Sequence, residues 1–525
     1  MPGGLMNIIA YGNQNIILNG NPTKTFFKSV YAKYTNFGLQ KYRIDYNGQR
    51  ILQLNESSKF TFKIPRYAEL LMDLYLVIQL PHIWSPIYNH NGSYNSYEFK
   101  WIEHIGSMMI QEVVISCGGQ ILQRFSGDYI KNRTERNEDE TRKKQFYKMT
   151  GNENSIHSPE NAYNRNGYYP NSIYNEDPPE PSIYGRKLYI PLPFWFSNSS
   201  KSAFPLVCLQ YNELIIDVTL RPIRELCTVL NVEDDYNKSR IRPDFGSALY
   251  QMHRFLQVPV QENEDYPIQT NTWAGDVHLI STYAYLSEEE TKVFAANEQK
   301  YLFLDVKETT YSHIVGSQRI DIETSNLVSN WFWYLKRSDQ YLRNEWSNYT
   351  NWEFSNIPNV DLSFTILNRG NEIETYPITQ YPTTNNTQHI LQKVSILLDG
   401  KYRENEFDSD IYRYIEKYAH CKGNSDDGLY SYSFSLDTNP YNLQPCGAMN
   451  LGKFKDIVMD ILTITPDLDE TQTNSTICDE DGQIIGYIDT DPTKIYKYSF
   501  DFVLFEERYN VMQFMSGNVS ILYAR

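Results

Sequence analysis

Apolar and polar residues alternate along many short stretches of the chain. Phe60, Phe62 and Ile64 alternate with Thr61 and Lys63, which places the two sets on opposite faces of an extended strand. Four longer runs show the same period of two: Leu188–Phe194, Leu214–Leu220, Tyr430–Leu436 and Tyr496–Leu504. Clusters of Gly, Pro, Asn and Asp separate these runs. The pattern therefore predicts an all-β protein built from β-sandwiches rather than from alternating strands and helices.

Few segments have the pattern of a helix. The best candidate runs from Ser287 to about Gln299, because Ser287 and Glu290 fit a capping box and acidic residues fill the first turn. Asp408–Tyr418 and the highly charged Thr134–Met149 are two further candidates. We expect all three to be short connectors that pack on sheet edges.

Four segments rich in Asn, Tyr, Pro or Ser are predicted to be long loops. They are residues 151–185, 231–244, 344–359 and 376–387. The first of them predicts a long insertion at about residues 150–186. Long loops on a β scaffold are where surface recognition usually occurs.

Length and charge limit the possible classes of protein. With 525 residues, the chain exceeds the roughly 250–300 residues at which one hydrophobic core stops growing, so two core-bearing domains are expected. The formal net charge is −16, and no concentrated basic stripe occurs. Direct contact with nucleic acid is therefore not expected. The six cysteines include no C-x-x-C pair, which indicates free thiols in a reducing compartment.

The sequence shows no targeting or membrane-spanning pattern. No basic stretch followed by an apolar one marks a signal peptide. The most apolar stretch, Leu70–Leu80, is about half the length of a membrane span and contains Asp73. We expect synthesis in the cytosol and no transmembrane segment.

Two segments of the first half recur, in the same order, in the second half. Gln111–Gly119 aligns with Gln392–Gly400, with Gln, Val, Ile and Gly at the same offsets. Leu286–Val293 aligns with Leu504–Val511, with Leu, two Glu and Val matching. Either the matches are coincidental or one β domain has been duplicated in tandem. Three duplicated chains around a threefold axis would present six similar domains, and so form a pseudo-hexagonal block.

The residue patterns predict no catalytic, cofactor-binding or metal-binding site. The nine histidines form no H-x-H or H-E-x-x-H pair, and no nucleophile elbow or glycine-rich phosphate loop occurs. His104, close to Trp101, is interpreted as a structural residue. Gly118-Gly119 predicts a hairpin turn, and Glu288–Glu290 the start of a helix. Arg142–Lys144 lies among acidic residues and predicts a solvent-exposed charged helix.

Many motifs together resemble the major capsid proteins of nucleocytoplasmic large DNA viruses. In family order they are Gly3–Leu5, Ala10–Gly12, Leu18–Pro22, Thr25–Lys28, Tyr31, Tyr34–Phe37, Ile64–Arg66, Leu74–Leu76, Leu80-Pro81, Trp101, Ile105-Gly106, Gly118–Ile121, Pro191–Phe196, Pro205-Leu206, Leu209, Tyr285–Phe294, Gln444–Gly447, Asn450, Tyr509–Val511 and Met515–Gly517. Three positions depart from the family pattern. Ser287 and Thr291 replace an aspartate and an arginine in the connector, and Cys446 replaces a serine.

The resemblance implies two tandem eight-stranded jelly-roll domains and a few short connector helices. It also implies a homotrimer that tiles an icosahedral virion shell, assembled in the host cytoplasm with neighbouring capsomers and with minor capsid and penton proteins. We divide the chain into an N-terminal arm (1–24) on the inner side of the capsid, a first jelly roll (25–299), a linker (300–315) and a second jelly roll (316–525).

Two other functions are compatible with a β-sandwich. A glycan-binding module for host attachment would use outer loops rich in Tyr and Asn, such as Tyr163–Tyr184. A cupin-type enzyme shares the jelly roll but needs closely spaced histidines, which the sequence lacks. The sequence therefore favours a structural capsid protein that is not an enzyme.

Overall fold

The computed structural model is dominated by β-strands. It describes residues 16–48, 51–90, 92–174, 179–233, 240–261, 264–342, 344–351, 363–367, 373–377, 389–424, 427–465, 474–478, 484–489 and 498–523. Within these ranges, the main frame consists of two successive units of eight strands each.

The first unit is a β-sandwich of two antiparallel sheets. Its strands are β1 (Phe37–Asp45), β2 (Ser58–Lys63), β3 (Leu70–Gln79), β4 (Ile110–Cys117), β5 (Gln120–Phe125), β6 (Lys187–Pro191), β7 (Leu214–Leu220) and β8 (His278–Leu286). One sheet has the order β1-β8-β3-β6 and the other the order β2-β7-β4-β5. The chain crosses repeatedly between the two sheets, as in a jelly roll.

The second unit repeats this arrangement strand for strand. Its strands are β9 (Gln299–Ile314), β10 (Ser317–Asp321), β11 (Leu327–Arg337), β12 (Leu391–Leu398), β13 (Lys401–Asp408), β14 (Leu429–Ser433), β15 (Ile457–Thr463) and β16 (Phe500–Met515). The sheet orders are β9-β16-β11-β14 and β10-β15-β12-β13. The protein is therefore an all-β double jelly roll, as the sequence predicts.

Shorter elements connect and extend the two sandwiches. The other strands are Ile87–His90, Ser93–Ser96, Lys100–Trp101, Phe204–Pro205, Cys227–Leu230, Arg240–Ile241, Ser363–Leu367, Ile373–Pro377, Met449–Asn450, Asn474–Cys478, Ile484–Asp489 and Asn518–Ile521. The three longer helices are α1 (Gly127–Asn137), α2 (Glu140–Thr150) and α3 (Glu288–Ala296). Single helical turns are Ile16–Asn19, Ile105–Met108, Asn154–His157, Pro159–Asn161, Trp195–Ser197, Ser200–Ser202, Leu206–Cys208, Ile223–Glu225, Met252–Arg254, Gln340–Leu342, Ile411–Ile415, Glu416–His420 and Leu451–Lys453. None of the described helices is long and apolar enough to span a membrane.

The runs with a period of two form strands whose apolar residues face a core. The predicted inward faces of β2, β6 and β7 are buried along their whole length. The prediction is wrong at the end of the Tyr430–Leu436 run, because β14 stops at Ser433 and Leu436 is 82% exposed. Tyr496, at the start of the last run, lies outside the described residues.

The strand order of the first unit recurs in the second, and only one of the two sequence matches falls on equivalent strands. Gln111–Gly119 and Gln392–Gly400 both contain an inner strand and a hairpin turn, and β4 and β12 occupy the same place in their sheets. The second match is wrong, because Leu286–Val293 enters α3 whereas Leu504–Val511 lies in the middle of β16. A shared Leu-Glu-Glu pattern does not distinguish a helix start from a strand.

The segment predicted as a linker, residues 300–315, is a strand over almost its whole length. It forms most of β9, which pairs with β16 from Gln299 to Ile314. The prediction of a linker is therefore wrong for these residues, and the side chains of Phe303 and Val306 are buried. We place the start of the second unit at Gln299, whereas the other boundaries remain predictions.

The predicted helices form with modified limits. Ser287 caps α3 by accepting a hydrogen bond from the backbone N–H of Glu290 at 3.4 Å, as the capping box predicts. The predicted helix at Thr134–Met149 is divided into α1 and α2, because Asp139 leaves the helical conformation and caps α2. The Asp408–Tyr418 prediction corresponds to two consecutive turns between Ile411 and His420.

Candidate functional site: the interface between the two domains

The apolar core of the first sandwich continues into the second. In β16, Phe502 faces the core of the second unit, whereas its neighbours Val503 and Phe505 join the core of the first. The Phe505 ring stacks on Phe332 of β11, with ring centroids 4.7 Å apart, and Tyr129 of α1 packs beside both. Large buried aromatic surfaces dominate the energetics of such contacts. The domain interface is therefore itself a hydrophobic core.

Helix α1 of the first unit lies in the domain interface. Ser126 caps its start by accepting a hydrogen bond from the Tyr129 backbone N–H at 3.3 Å. Most of its side chains are buried, including the charged Lys131, Glu135 and Arg136. Burying a charge is costly unless it is paired and hydrogen-bonded, so the partners of these groups fix where the helix lies.

Arg136 binds the second unit through a fully buried ion pair. Its Nη2 donates to Oε2 of Glu507 in β16 at 2.7 Å, and its Nη1 donates to Oδ1 of Asn330 in β11 at 2.7 Å. The Tyr129 hydroxyl donates to the other Glu507 oxygen, Oε1, at 2.9 Å. Burial and the adjacent carboxylate raise the pKa of Tyr129 well above its ordinary value, so the hydroxyl remains a donor. Both oxygens of Glu507 are therefore satisfied.

A second buried cluster joins α1 and α2 to the second unit. Lys143 Nζ lies 3.2 Å from Oε2 of Glu135 and also donates to the backbone carbonyl of Asn424 in the second unit. The prediction of a solvent-exposed Arg142–Lys144 helix is correct for Arg142 and Lys144, which pair with acidic residues at the surface. It is wrong for Lys143, which is buried.

Two more sets of contacts join the units away from these helices. The side-chain nitrogen of Asn344 donates to the carbonyls of Arg224 and Cys227, both at 2.8 Å. At the other side, the backbone N–H of Gln210 donates to the Gly517 carbonyl at 2.9 Å. Together with the contacts of α1 and α2, these hydrogen bonds join the two jelly rolls at several separate points, and so hold them in one relative orientation.

The N-terminal segment leaves many large apolar side chains exposed. They are Ile16, Ile17, Leu18, Phe26, Phe27, Val30, Tyr31, Tyr34, Phe37 and Leu39. No Asp or Glu precedes Asp45 in the sequence, whereas Lys24, Lys28 and Lys33 do. Exposed apolar patches of this kind mark interaction surfaces. The first 15 residues of the predicted arm 1–24 lie outside the described residues.

The other residues singled out in the sequence have structural surroundings. His104 is buried, and its ring packs edge-on against Tyr147, with ring centroids 5.5 Å apart. Gly118 and Gly119 form the β4–β5 turn with φ of 58° and 82°, as predicted. Within the part of the chain that the structure describes, no group of three or more His, Cys, Asp or Glu side chains is arranged to hold a metal ion. Cys117, Cys208, Cys227, Cys421 and Cys446 are free thiols.

Two family models match successive parts of the chain. The model described as "Major capsid protein N-terminus" matches residues 25–253, and the model described as "Large eukaryotic DNA virus major capsid protein" matches residues 290–520. The major capsid protein of Phaeocystis pouchetii virus is 22% identical, with all of both chains covered. That of Paramecium bursaria Chlorella virus 1 is also 22% identical, again over the full length of both.

Solved structures agree with this assignment at the level of the fold. The VP54 capsid protein of PBCV-1 has a TM-score of 0.62 and 18% identity, covering 95% of this chain and 100% of its own. The Faustovirus major capsid protein has a TM-score of 0.62 and 11% identity, covering 96% of this chain and 94% of its own. The fold thus defines a double jelly-roll capsid protein. With the two model matches, the chain belongs to the major capsid proteins of nucleocytoplasmic large DNA viruses.

Proposed function

We propose that this structural capsid protein forms a homotrimer in which six jelly rolls surround a threefold axis as a pseudo-hexagonal capsomer. The observation that carries the proposal is the repeated strand order, β1-β8-β3-β6 with β2-β7-β4-β5 in the first unit and the equivalent order in the second. Each chain contains two units of the same architecture in one fixed relative orientation. Three such chains around an axis would therefore present six similar units. Closed cyclic symmetry is the usual rule for homo-oligomers.

In this proposal the capsomers tile an icosahedral virion shell that is assembled in the host cytoplasm. The partners are neighbouring capsomers and the minor capsid and penton proteins. The exposed apolar segment 16–39 supports such contacts, because permanent interfaces are large and apolar. The net charge of −16 supports a shell that makes no direct contact with nucleic acid.

We also propose that the protein carries out no catalysis. The support is that Arg136, Glu507, Lys143 and Glu135, which are buried charged groups of the domain interface, bind one another or nearby side chains. Charged groups that are buried and paired with one another are not available to bind or activate a substrate.

Imaging of particles assembled from the purified chain tests the capsomer proposal. We expect surface blocks with pseudo-hexagonal outlines, each containing three chains. Blocks with a different number of chains, such as true hexamers or pentamers alone, would contradict the proposal.

A second candidate function is binding of host-surface glycans through outer loops. The exposed rings of Tyr163 and Tyr168 in the 151–185 segment favour it, because aromatic faces suit sugar rings. A glycan array tests this function. We expect Tyr163→Ala/Tyr168→Ala to lose the signal while the protein keeps its thermal midpoint, and an unchanged signal would contradict the assignment to this loop.

A further inference from the structure

A cavity of 380 Å³ lies at one end of the first sheet, away from the domain interface. It forms where β3 ends and the segment before β8 passes over it. Trp273 fixes this segment, because its Nε1 donates to the backbone carbonyl of Gln79 at 2.8 Å. The volume falls in the range of about 300–1,000 Å³ that is typical of small-molecule sites.

The lining of the cavity contains two indole rings among aliphatic and neutral polar residues. Trp84 and Trp273 are both partly buried and line it, together with His82, His253 and Ile268. None of the described lining residues is Asp, Glu, Lys or Arg. A ligand with a formal charge would find no partner there, so the cavity suits a neutral ligand.

The two histidines supply hydrogen-bonding groups of opposite kind. His82 Nδ1 accepts from the backbone N–H of Gly185 at 3.2 Å, so the neutral ring carries its proton on Nε2 and donates there. His253 Nδ1 bonds Oδ1 of Asn271 at 3.1 Å and must donate, which leaves its Nε2 as an acceptor. Burial lowers the pKa of His253, so its ring is neutral near pH 7.

We infer that this cavity binds a neutral hexose unit of a glycan. A sugar ring has C–H faces for the indoles of Trp84 and Trp273, and hydroxyls that both donate and accept. A hydrocarbon ligand would leave the hydrogen-bonding groups of His82 and His253 unused, whereas sugar hydroxyls can pair with them. The hydroxyls of Thr270 and Thr272, which also line the cavity, add neutral polar groups of the same kind.

The position of the cavity agrees with a role on the outer side of the capsid. In the β1–β8 pair, Phe37 faces Leu286 at the end where the N-terminal segment enters, and Asp45 faces His278 at the end near the cavity. A strand of nine residues separates these ends by about 30 Å. This cavity is a glycan site separate from the Tyr163 and Tyr168 loop proposed above, and its outward placement rests on the arm lying inside the shell.

Saturation-transfer NMR on the purified full-length protein tests the site. The probes are glucose, galactose, mannose and N-acetylglucosamine, with N-acetylneuraminic acid as the charged control and p-cresol as an apolar aromatic control. We expect transfer to the ring protons of at least one neutral sugar and none to the charged one. His82→Ala, and Ala274→Trp to fill the cavity, should each weaken binding about tenfold.

Controls separate this site from the loop and from assembly. Both substituted residues are exposed, and circular dichroism and the thermal midpoint check that each variant folds. Tyr163→Ala should bind the sugar as the unmodified protein does. If no neutral sugar binds, if p-cresol alone binds, or if the folded His82→Ala variant binds normally, the inference is wrong. The mass of the oligomer, measured on the same samples, reports on the capsomer proposal independently.

Discussion

Arg136 and Glu507 form an ion pair across the domain interface, 371 residues apart in the sequence and with 2.7 Å between Nη2 and Oε2. The Arg136 guanidinium also lies 4.4 Å from the centre of the Phe332 ring. The pair therefore links a helix of the first jelly roll to the sheet of the second. Such buried pairs are poor evidence for net stability, but they strongly penalise any arrangement that separates the partners.

Removing one partner of this pair should be strongly destabilising. We expect Arg136→Met and Glu507→Gln each to lower the free energy of unfolding by about 3–5 kcal/mol, because each leaves an unpaired buried group. The double variant should lose less than the sum of the two, which a double-mutant cycle by urea denaturation measures. Arg142→Met is the matched control, since Arg142 pairs with Glu138 at the surface and should change stability by about 1 kcal/mol at most. Equal effects of Arg136→Met and Arg142→Met would contradict the account.

Phe500→Asp should prevent folding of the second jelly roll. Phe500 starts β16 and is completely buried in the second core, so the substitution buries a charge without a partner. The same substitution at Met515, at the exposed end of the same strand, is the control and should have little effect. Calorimetry distinguishes them: Phe500→Asp should lose much of the unfolding enthalpy, whereas Met515→Asp should melt as the unmodified protein does. A normal melting curve for Phe500→Asp would be inconsistent with the observed strand register.

Deletion of residues 1–24 should leave the capsomer intact but impair shell assembly. The described residues 16–18 and 20–24 are exposed, so their loss removes no core contact. Phe26→Ser/Phe27→Ser makes a milder test, because both rings are exposed and should be dispensable for folding. Light scattering during assembly measures the rate of particle formation, and sedimentation measures the capsomer. If the deletion abolishes the capsomer itself, the assignment of the arm to contacts between capsomers is wrong.

The stability of the first unit should rise with pH above about 8 because of Lys100. Burial lowers the pKa of Lys100 to about 8 from 10.5, although Glu160 binds its ammonium group. Between these values the unfolded chain holds a proton that the folded chain has released, so raising the pH favours folding. Urea unfolding at pH 8 and pH 10 measures the effect against Lys100→Met/Glu160→Gln, which lacks both groups. The same pH dependence in both proteins would show that Lys100 is not its source.

Strands with one polar face could be predicted from the sequence because burial on a single side leaves a clear alternation. In β7, Leu214, Ile216, Val218 and Leu220 alternate with more polar positions, and the structure buries that set. In β16 both faces are buried, since Phe505 packs on the first unit. The sequence shows the alternation of Phe500, Phe502 and Leu504, which indicates one core face, but it does not indicate where Val503 and Phe505 pack.

The domain interface could not be predicted from the sequence, because its contacts join residues that are far apart in the chain. With one exception, nothing in the local sequence around these residues indicates that they are buried. Arg136 and Lys143 lie in charged segments that are typical of exposed helices, and only their partners in the second unit show that they are buried. The one local signal is Glu506-Glu507-Arg508 inside an apolar strand, where three charges need buried partners. Residues 300–315 were wrongly predicted to be a linker for the same reason, since β9 pairs with a strand that lies about 200 residues later.

The mass of the purified chain in solution tests the central claim most directly. Sedimentation equilibrium over a wide range of concentrations should give three times the chain mass of 61.6 kDa, with no dissociation on dilution within the working range. A protein that stays at a single chain mass at the highest concentrations would contradict the proposal that three double jelly rolls form one capsomer.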